Sequence, residues 1–173
     1  MAMLADTIEV RDIARADAVA LAELLNAVIA KGGTTALQEP FTPAALERAY
    51  LLGPDVLCCF VAVDPANGHI HGFQTLGRLA SLPDDVGDIG TFTRLGGTQR
   101  GVGSRLFAAT RARARALGLS AINATIRADN LGGLAFYRKQ GFIDHDVLKD
   151  VPLKDGTRVD RVVKRYDLCR PGS

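Results

Sequence analysis

The stretch "GGTQRGVGSRL", residues 96–106, holds four glycines, two arginines and no acidic residue, and it leads directly into an apolar helical pattern. That composition suits an anion. The first turn of a helix leaves backbone N–H groups without intrahelical partners, and the helix dipole makes the same end attractive to negative charge. Glycines at Gly101 and Gly103 let a ligand approach the backbone with no Cβ in the way, and Arg100 and Arg105 add charge nearby. A pyrophosphate fits such a seat. Two familiar phosphate loops do not. A P-loop requires Gly-Lys-Ser/Thr, whereas Val102, Gly103 and Ser104 follow Gly101. A dinucleotide fingerprint requires a glycine where Leu106 stands. On this stretch alone, a glycine-rich turn that binds nothing is an equal reading.

A second stretch, "NLGGLAFYRKQGF" (130–142), sets Asn130 at a helix start, Tyr137 two turns along, and Gly141-Phe142 at the entry to a strand. With both stretches in view, the chain resembles the GNAT superfamily of acyl-CoA-dependent N-acyltransferases. The family's loop Q/R-x-x-G-x-G/A is matched by Thr98-Gln99-Arg100-Gly101-Val102-Gly103. Its N-x-x-A-x-x-x-Y followed by G-F is matched by Asn130, Gly133, Tyr137, Gly141 and Phe142. The opening "IEVRDIARADAVALAELLN" is similar to the family's first strand and helix. Thr98 departs from the usual Gln or Arg, and Gly133 from the usual Ala.

The resemblance implies acetyl-CoA as co-substrate, with no metal, and gives residues their expected roles. Thr98, Gln99, Arg100, Gly101, Val102, Gly103 and Ser104 would hold the pyrophosphate. The strand end at Phe92 and Thr93 would pair with the pantetheine arm like an added strand, and Asn130 would hydrogen-bond the same arm. Tyr137 matches the family's phenol, the general acid for the departing thiolate. Asp88, at the start of the strand entering the site, is the candidate base, with a water relay as the alternative. Thr34, Thr35 and Glu39 in "GGTTALQEPFT" are candidate acceptor contacts, in a segment that an ordinary loop also explains. An α-amine with pKa ~8 costs only ~1.4 kcal/mol to deprotonate at neutral pH, against ~4.6 kcal/mol for a lysine amine. A site without an obvious base therefore leans toward α-amines.

The expected activity is acetyl transfer to the amine of a small molecule, an amino acid or analogue. The alternatives are a protein or peptide N-acetyltransferase and a non-catalytic acyl-CoA sensor. A homodimer built on C-terminal strands around Cys169 is compatible with the resemblance.

The elements that must position these residues follow from periodicity and turn signals. The expectation is one domain over 1–173, an α/β (α+β) fold with a mainly antiparallel sheet flanked by helices, in the order β-α-α-β-β-β-α-β-α-β-β. Asp17 is read as the cap of the first helix, Thr42-Pro43 as the start of the second, and "DPANGH" as a hairpin turn. Hydrophobic residues make up 47% of the 173-residue chain, enough for a full core, and the net charge of +2 gives no case for nucleic acid. The arginines of "RARARA" (111–116) are expected on a solvated helix face. No apolar run suggests a membrane helix or a signal peptide, and Cys58, Cys59 and Cys169 form no disulfide or metal framework, so a reducing cytoplasm is the expected setting. His69 and His71 share a strand face with no third ligand in view.

Overall fold

The computed structural model describes residues 8–97 and 99–169. A seven-stranded sheet forms its centre, ordered β1-β2-β3-β4-β5-β7-β6. The strands are β1 (Glu9–Asp12), β2 (Val56–Val63), β3 (Ile70–Gly77), β4 (Val86–Thr93), β5 (Ala121–Arg127), β6 (Ile143–Pro152) and β7 (Arg158–Asp167). All neighbours pair antiparallel except β4 and β5, which run parallel and are joined by the crossover helix α3 (Val102–Ala116). The other helices are α1 (Ala18–Lys31), α2 (Pro43–Leu46), which runs on into a π-helical turn (Glu47–Leu51), and α4 (Leu131–Gln140). This is the mixed, mainly antiparallel architecture that the element order predicts.

Alternation along the strands sorts the core onto the two sheet faces. Cys59, Val61 and Phe73 pack with Leu21, Leu25 and Val28 of α1 and with Leu46. Cys58, Phe60, Leu76 and Ile122 pack with Leu106 and Phe107 of α3, and Tyr137, Phe142 and Tyr166 extend that layer. The adjacent cysteines thus serve as small hydrophobes on opposite faces, and burial pushes the Cys58 thiol up to about 11. The expected turn chemistry is present. Thr42 Oγ1 accepts from Ala45 N–H at 3.1 Å with Pro43 behind it, and Asp64 N–H donates to His69 across the β2–β3 hairpin at 2.8 Å.

Asp17 differs from expectation. Its carboxylate faces away from α1, accepting from Ala14 N–H at 2.8 Å and from both guanidinium arms of Arg11 at 2.8 and 2.9 Å. The Arg11 hydrogen bond holds its carboxyl below the usual carboxylate range. The charge-assisted bidentate pair and the Ala14 amide together hold these oxygens away from the first-turn amides of α1. The arginine run on α3 is also less idle than a solvated face. Arg113 pairs with Asp12 of β1 at 3.1 Å, and Arg111 stacks over Phe107.

Candidate active site

β4 and β5 stay paired for only three rungs, Val86/Ala121, Gly87/Ile122 and Asp88/Asn123, and then diverge. Each strand keeps its outer neighbour: β4 pairs with β3 through Thr93, and β5 pairs with β7 through Arg127. Arg94 N–H donates to the His71 carbonyl at 2.8 Å, so the alternation of an antiparallel ladder makes Phe92/Phe73 and Gly90/Thr75 the hydrogen-bonded pairs. The backbone groups of Ile89, Thr91 and Thr93 must therefore face the gap that β5 has left. A row of strand amides with no strand opposite, running from buried Ile89 to exposed Thr93, is costly where it lies away from water unless a ligand meets it. An extended polar chain, such as a pantetheine arm, has the form to do so.

The gap opens into a cavity of about 720 Å³. Its lining includes Asp88, Phe92, Thr93, Gly103, Asn130 and Tyr137, with Thr34 and Thr35 at the α1–α2 loop. A smaller cavity of about 190 Å³ lies at the start of α3, between Gln99, Gly101, Val102, Gly103, Arg94 and His71. Gly101 caps α3 in a left-handed conformation (φ 78°) with no side-chain cap, and the first i to i−4 bond of that helix runs from Arg105 N–H to Gly101. The amides of Val102, Gly103 and Ser104 thus point out of the helix end, as an anion seat requires.

The two glycines differ in their reasons. Gly101 needs its positive φ and has open space around it, whereas a Cβ at Gly103 would stand 2.6 Å from the Phe136 ring. Ser104 Oγ accepts from Gln140 at 2.8 Å, which ties α3 to the end of α4. Arg100 is exposed beside the loop. Arg105 instead turns to the Ile8 carbonyl at 2.9 Å, and Thr98 lies outside the described residues. Phe92 presents its ring rather than its amide, stacked on Phe73 at 5.1 Å.

Tyr137 is buried, and its hydroxyl is 2.8 Å from Thr91 Oγ1. Burial pushes the phenol's pKa up, with the Thr91 bond opposing, so it stays protonated at working pH. Burial also raises Asp88, while the Asn123 hydrogen bond and the Arg165 charge pull it down. Asn123 Nδ2 donates to Asp88 at 2.8 Å and its Oδ1 accepts from Arg165 Nε at 2.7 Å, fixing the carboxylate on the last paired rung. Tyr50 lines the same cavity, its phenol raised by burial and then by the Asp88 charge. A protonated donor and a carboxylate with an elevated pKa thus border one cavity beside gap-facing amides. That set suits acyl transfer: polarise a carbonyl, take a proton from an amine, and steady a leaving thiolate.

Asn130 is already committed twice. Its Oδ1 accepts from Gly133 N–H at 2.9 Å as the α4 cap, and its Nδ2 donates to the Thr34 carbonyl at 2.8 Å. One amide hydrogen is left for a ligand. A Cβ at Gly133 would stand 2.5 Å from Nδ2, so an alanine there would require the Asn130 amide to shift. Glu39 does not line the cavity and pairs with Lys154. The sequence reading missed Thr91, Asn123, Arg165, Tyr50 and Arg127. The last is clamped by Asp129 at 2.7 Å and reaches the Thr35 carbonyl at 3.3 Å. His69 and His71 stack edge-on at 5.2 Å, and among the described residues no cluster of three metal-binding side chains forms.

A splayed β4–β5 pair, a glycine-led α3 and a buried tyrosine on α4 are compatible with the acyl-CoA-dependent transferase that the sequence resembles. The model of the acetyltransferase (GNAT) family matches residues 31–142, and the chain belongs to that family, whose members use acetyl-CoA as co-substrate. No curated protein matches the sequence. Solved structures share the fold. An N-acetyltransferase from Staphylococcus aureus Mu50 superposes with a TM-score of 0.80 at 20% identity, over 94% of this chain and 99% of that one. A ribosomal-protein-alanine N-acetyltransferase from Brucella melitensis gives 0.79 at 19%, over 92% and 99%. A phosphinothricin acetyltransferase from Sinorhizobium meliloti, solved with acetyl-CoA, gives 0.78 at 19%, over 93% and 88%.

Asn130→Ala should cost about 1 kcal/mol of stability in urea unfolding, the usual loss for a cap. It should also speed amide exchange across residues 32–41. Exchange at the wild-type rate in that loop would mean that Asn130 does not tether it.

Proposed function

We propose that this acetyltransferase moves the acetyl group of acetyl-CoA to the amine of a small molecule, of the amino-acid kind. The observation that carries the reading is the anchoring of the α1–α2 loop, whose Thr34 and Thr35 line the cavity. Lys154 of the β6–β7 turn reaches across to Gln38 and Glu39 of the α1–α2 loop. Asn130 and Arg127 hold the same loop at Thr34 and Thr35. A loop tied down on both sides beside the cavity favours a compact acceptor over a continuous peptide. Thr34 and Thr35 then serve the acceptor directly, and Glu39 acts through its pairing with Lys154.

Bound acetyl-CoA supplies an activated acetyl group as a thioester. The amides of Val102, Gly103 and Ser104, with Gln99, Arg100 and Thr98, serve its pyrophosphate. Thr93 and the other gap-facing amides align the pantetheine arm, Phe92 packs against it, and a strand N–H polarises the thioester carbonyl. Asp88 accepts the amine's proton, directly or through one water, and Tyr137 donates a hydrogen bond to the departing sulfur.

In an acceptor screen that follows thiol release from acetyl-CoA, small α-amines should react and peptides and polyamines should not. Reaction with peptides alone would favour the protein-acetyltransferase reading, and tight acetyl-CoA binding with no reactive amine the sensor. Tyr137→Phe should lower kcat about a hundredfold while leaving acetyl-CoA affinity within about twofold.

The base must be ionised to work, and burial lifts Asp88. The wild-type kcat should therefore fall as the pH drops through a point above the ordinary carboxylate value of ~4. Asp88→Asn should remove that limb of the kcat profile, and an unchanged limb would assign the proton to another group.

A further inference from the structure

We infer that Thr91 and Gln74 are positioning residues that set the direction of the Tyr137 proton. The inference rests on the reading of Tyr137 as the general acid. Thr91 and Gln74 are register partners across β4 and β3. Their side chains therefore share the sheet face that carries α3 and α4. Gln74 is fully buried in the sheet's interior, where its neighbours Phe60 and Leu76 belong to the apolar core. It does not line the cavity, whereas Thr91 and Tyr137 do.

The partners within reach of Thr91 favour one direction for the chain. Gln74 Nε2 donates to Thr91 Oγ1 at 2.9 Å, and Thr91 Oγ1 lies 2.8 Å from Tyr137 Oη. A threonine hydroxyl has one proton. The amide occupies one of its two lone pairs, and among the described residues the phenol oxygen is the one acceptor within hydrogen-bond distance, so the inferred arrangement directs the Thr91 proton there. Tyr137 then accepts from Thr91, and its own proton is released toward the cavity. The opposite orientation of the Gln74 amide would strand an NH₂ group, with two donors, in the core. The observed one leaves only Oε1 without a partner among the described residues. A buried carbonyl oxygen is the less costly orphan. An apolar side chain at position 74 would avoid even that cost, so the amide is retained against packing, and its one hydrogen bond is to Thr91. The three groups form a chain in which each donor polarises the next, and it ends on the hydroxyl that must donate to the leaving sulfur.

The test is a double-mutant cycle on kcat with acetyl-CoA and a reactive amine, on variants with wild-type far-UV and near-UV circular dichroism. Thr91→Val keeps the shape and removes the hydroxyl. It should lower kcat about tenfold with KM for acetyl-CoA within about twofold, while Thr91→Ser restores most of the rate. In the Tyr137→Phe background, Thr91→Val should have no further effect, because the proton it orients is gone. Should Thr91→Val not fold, Gln74→Met carries the same expectation with a several-fold loss. A wild-type kcat in folded Thr91→Val, or losses that multiply in the double variant, would overturn the inference. A normal rate in Tyr137→Phe would remove the acid reading and this inference with it. A slow Tyr137→Phe beside a normal Thr91→Val would remove this inference alone.

Discussion

The structure turns on the parting of β4 from β5 beyond the Asp88/Asn123 rung. Two parallel strands in mid-sheet would ordinarily continue to pair, since an unpaired buried ladder forfeits hydrogen bonds on both sides. Here each strand is secured on its outer edge and released on its inner one, and Phe136 and Tyr137 of α4 line the space between. The sheet thereby presents a strand-shaped vacancy with its amides in place. In the proposed reading, a ligand that completes the ladder recovers what the splay gave up, so binding and fold would draw on the same interaction.

The last paired rung is also where the chemistry is anchored. Arg165 on β7, Asn123 on β5 and Asp88 on β4 form a continuous hydrogen-bonded line across three strands. On the other face of the sheet, Gln74, Thr91 and Tyr137 form a second line from β3 to α4. The carboxylate and the phenol therefore approach the cavity from opposite faces, each held by a buried polar chain. The acceptor loop is fixed from the same elements, since Asn130 at the head of α4 and Arg127 at the end of β5 both grip its carbonyls. The proposed proton donor, proton acceptor and acceptor loop thus share one framework.

The fold was largely legible in the sequence because its signals are local. Gly101 marks a helix start, Thr42-Pro43 another, and Asn67-Gly68 a hairpin, and each acts within a few residues. Tyr137 was legible through its spacing from Asn130 and Gly141-Phe142. Asp17 misled because its competing partner, Arg11, lies on another element. Four of the missed residues share one property. Asn123, Arg165, Thr91 and Gln74 matter only through cross-strand register, which brings together positions 17 to 42 residues apart. Nothing in a single chain's periodicity announces such a pairing. Gly103 was legible as a glycine but not in its reason, which is the Phe136 ring on α4.

The most direct measurement is a ¹⁵N–¹H spectrum of the protein titrated with coenzyme A, with the amides of residues 86–93 and 102–104 assigned. Ile89, Thr91 and Thr93 should shift strongly together with Val102, Gly103 and Ser104, while Gly90 and Phe92, which face β3, shift less. Saturable binding that leaves the three gap-facing amides unmoved would contradict the account.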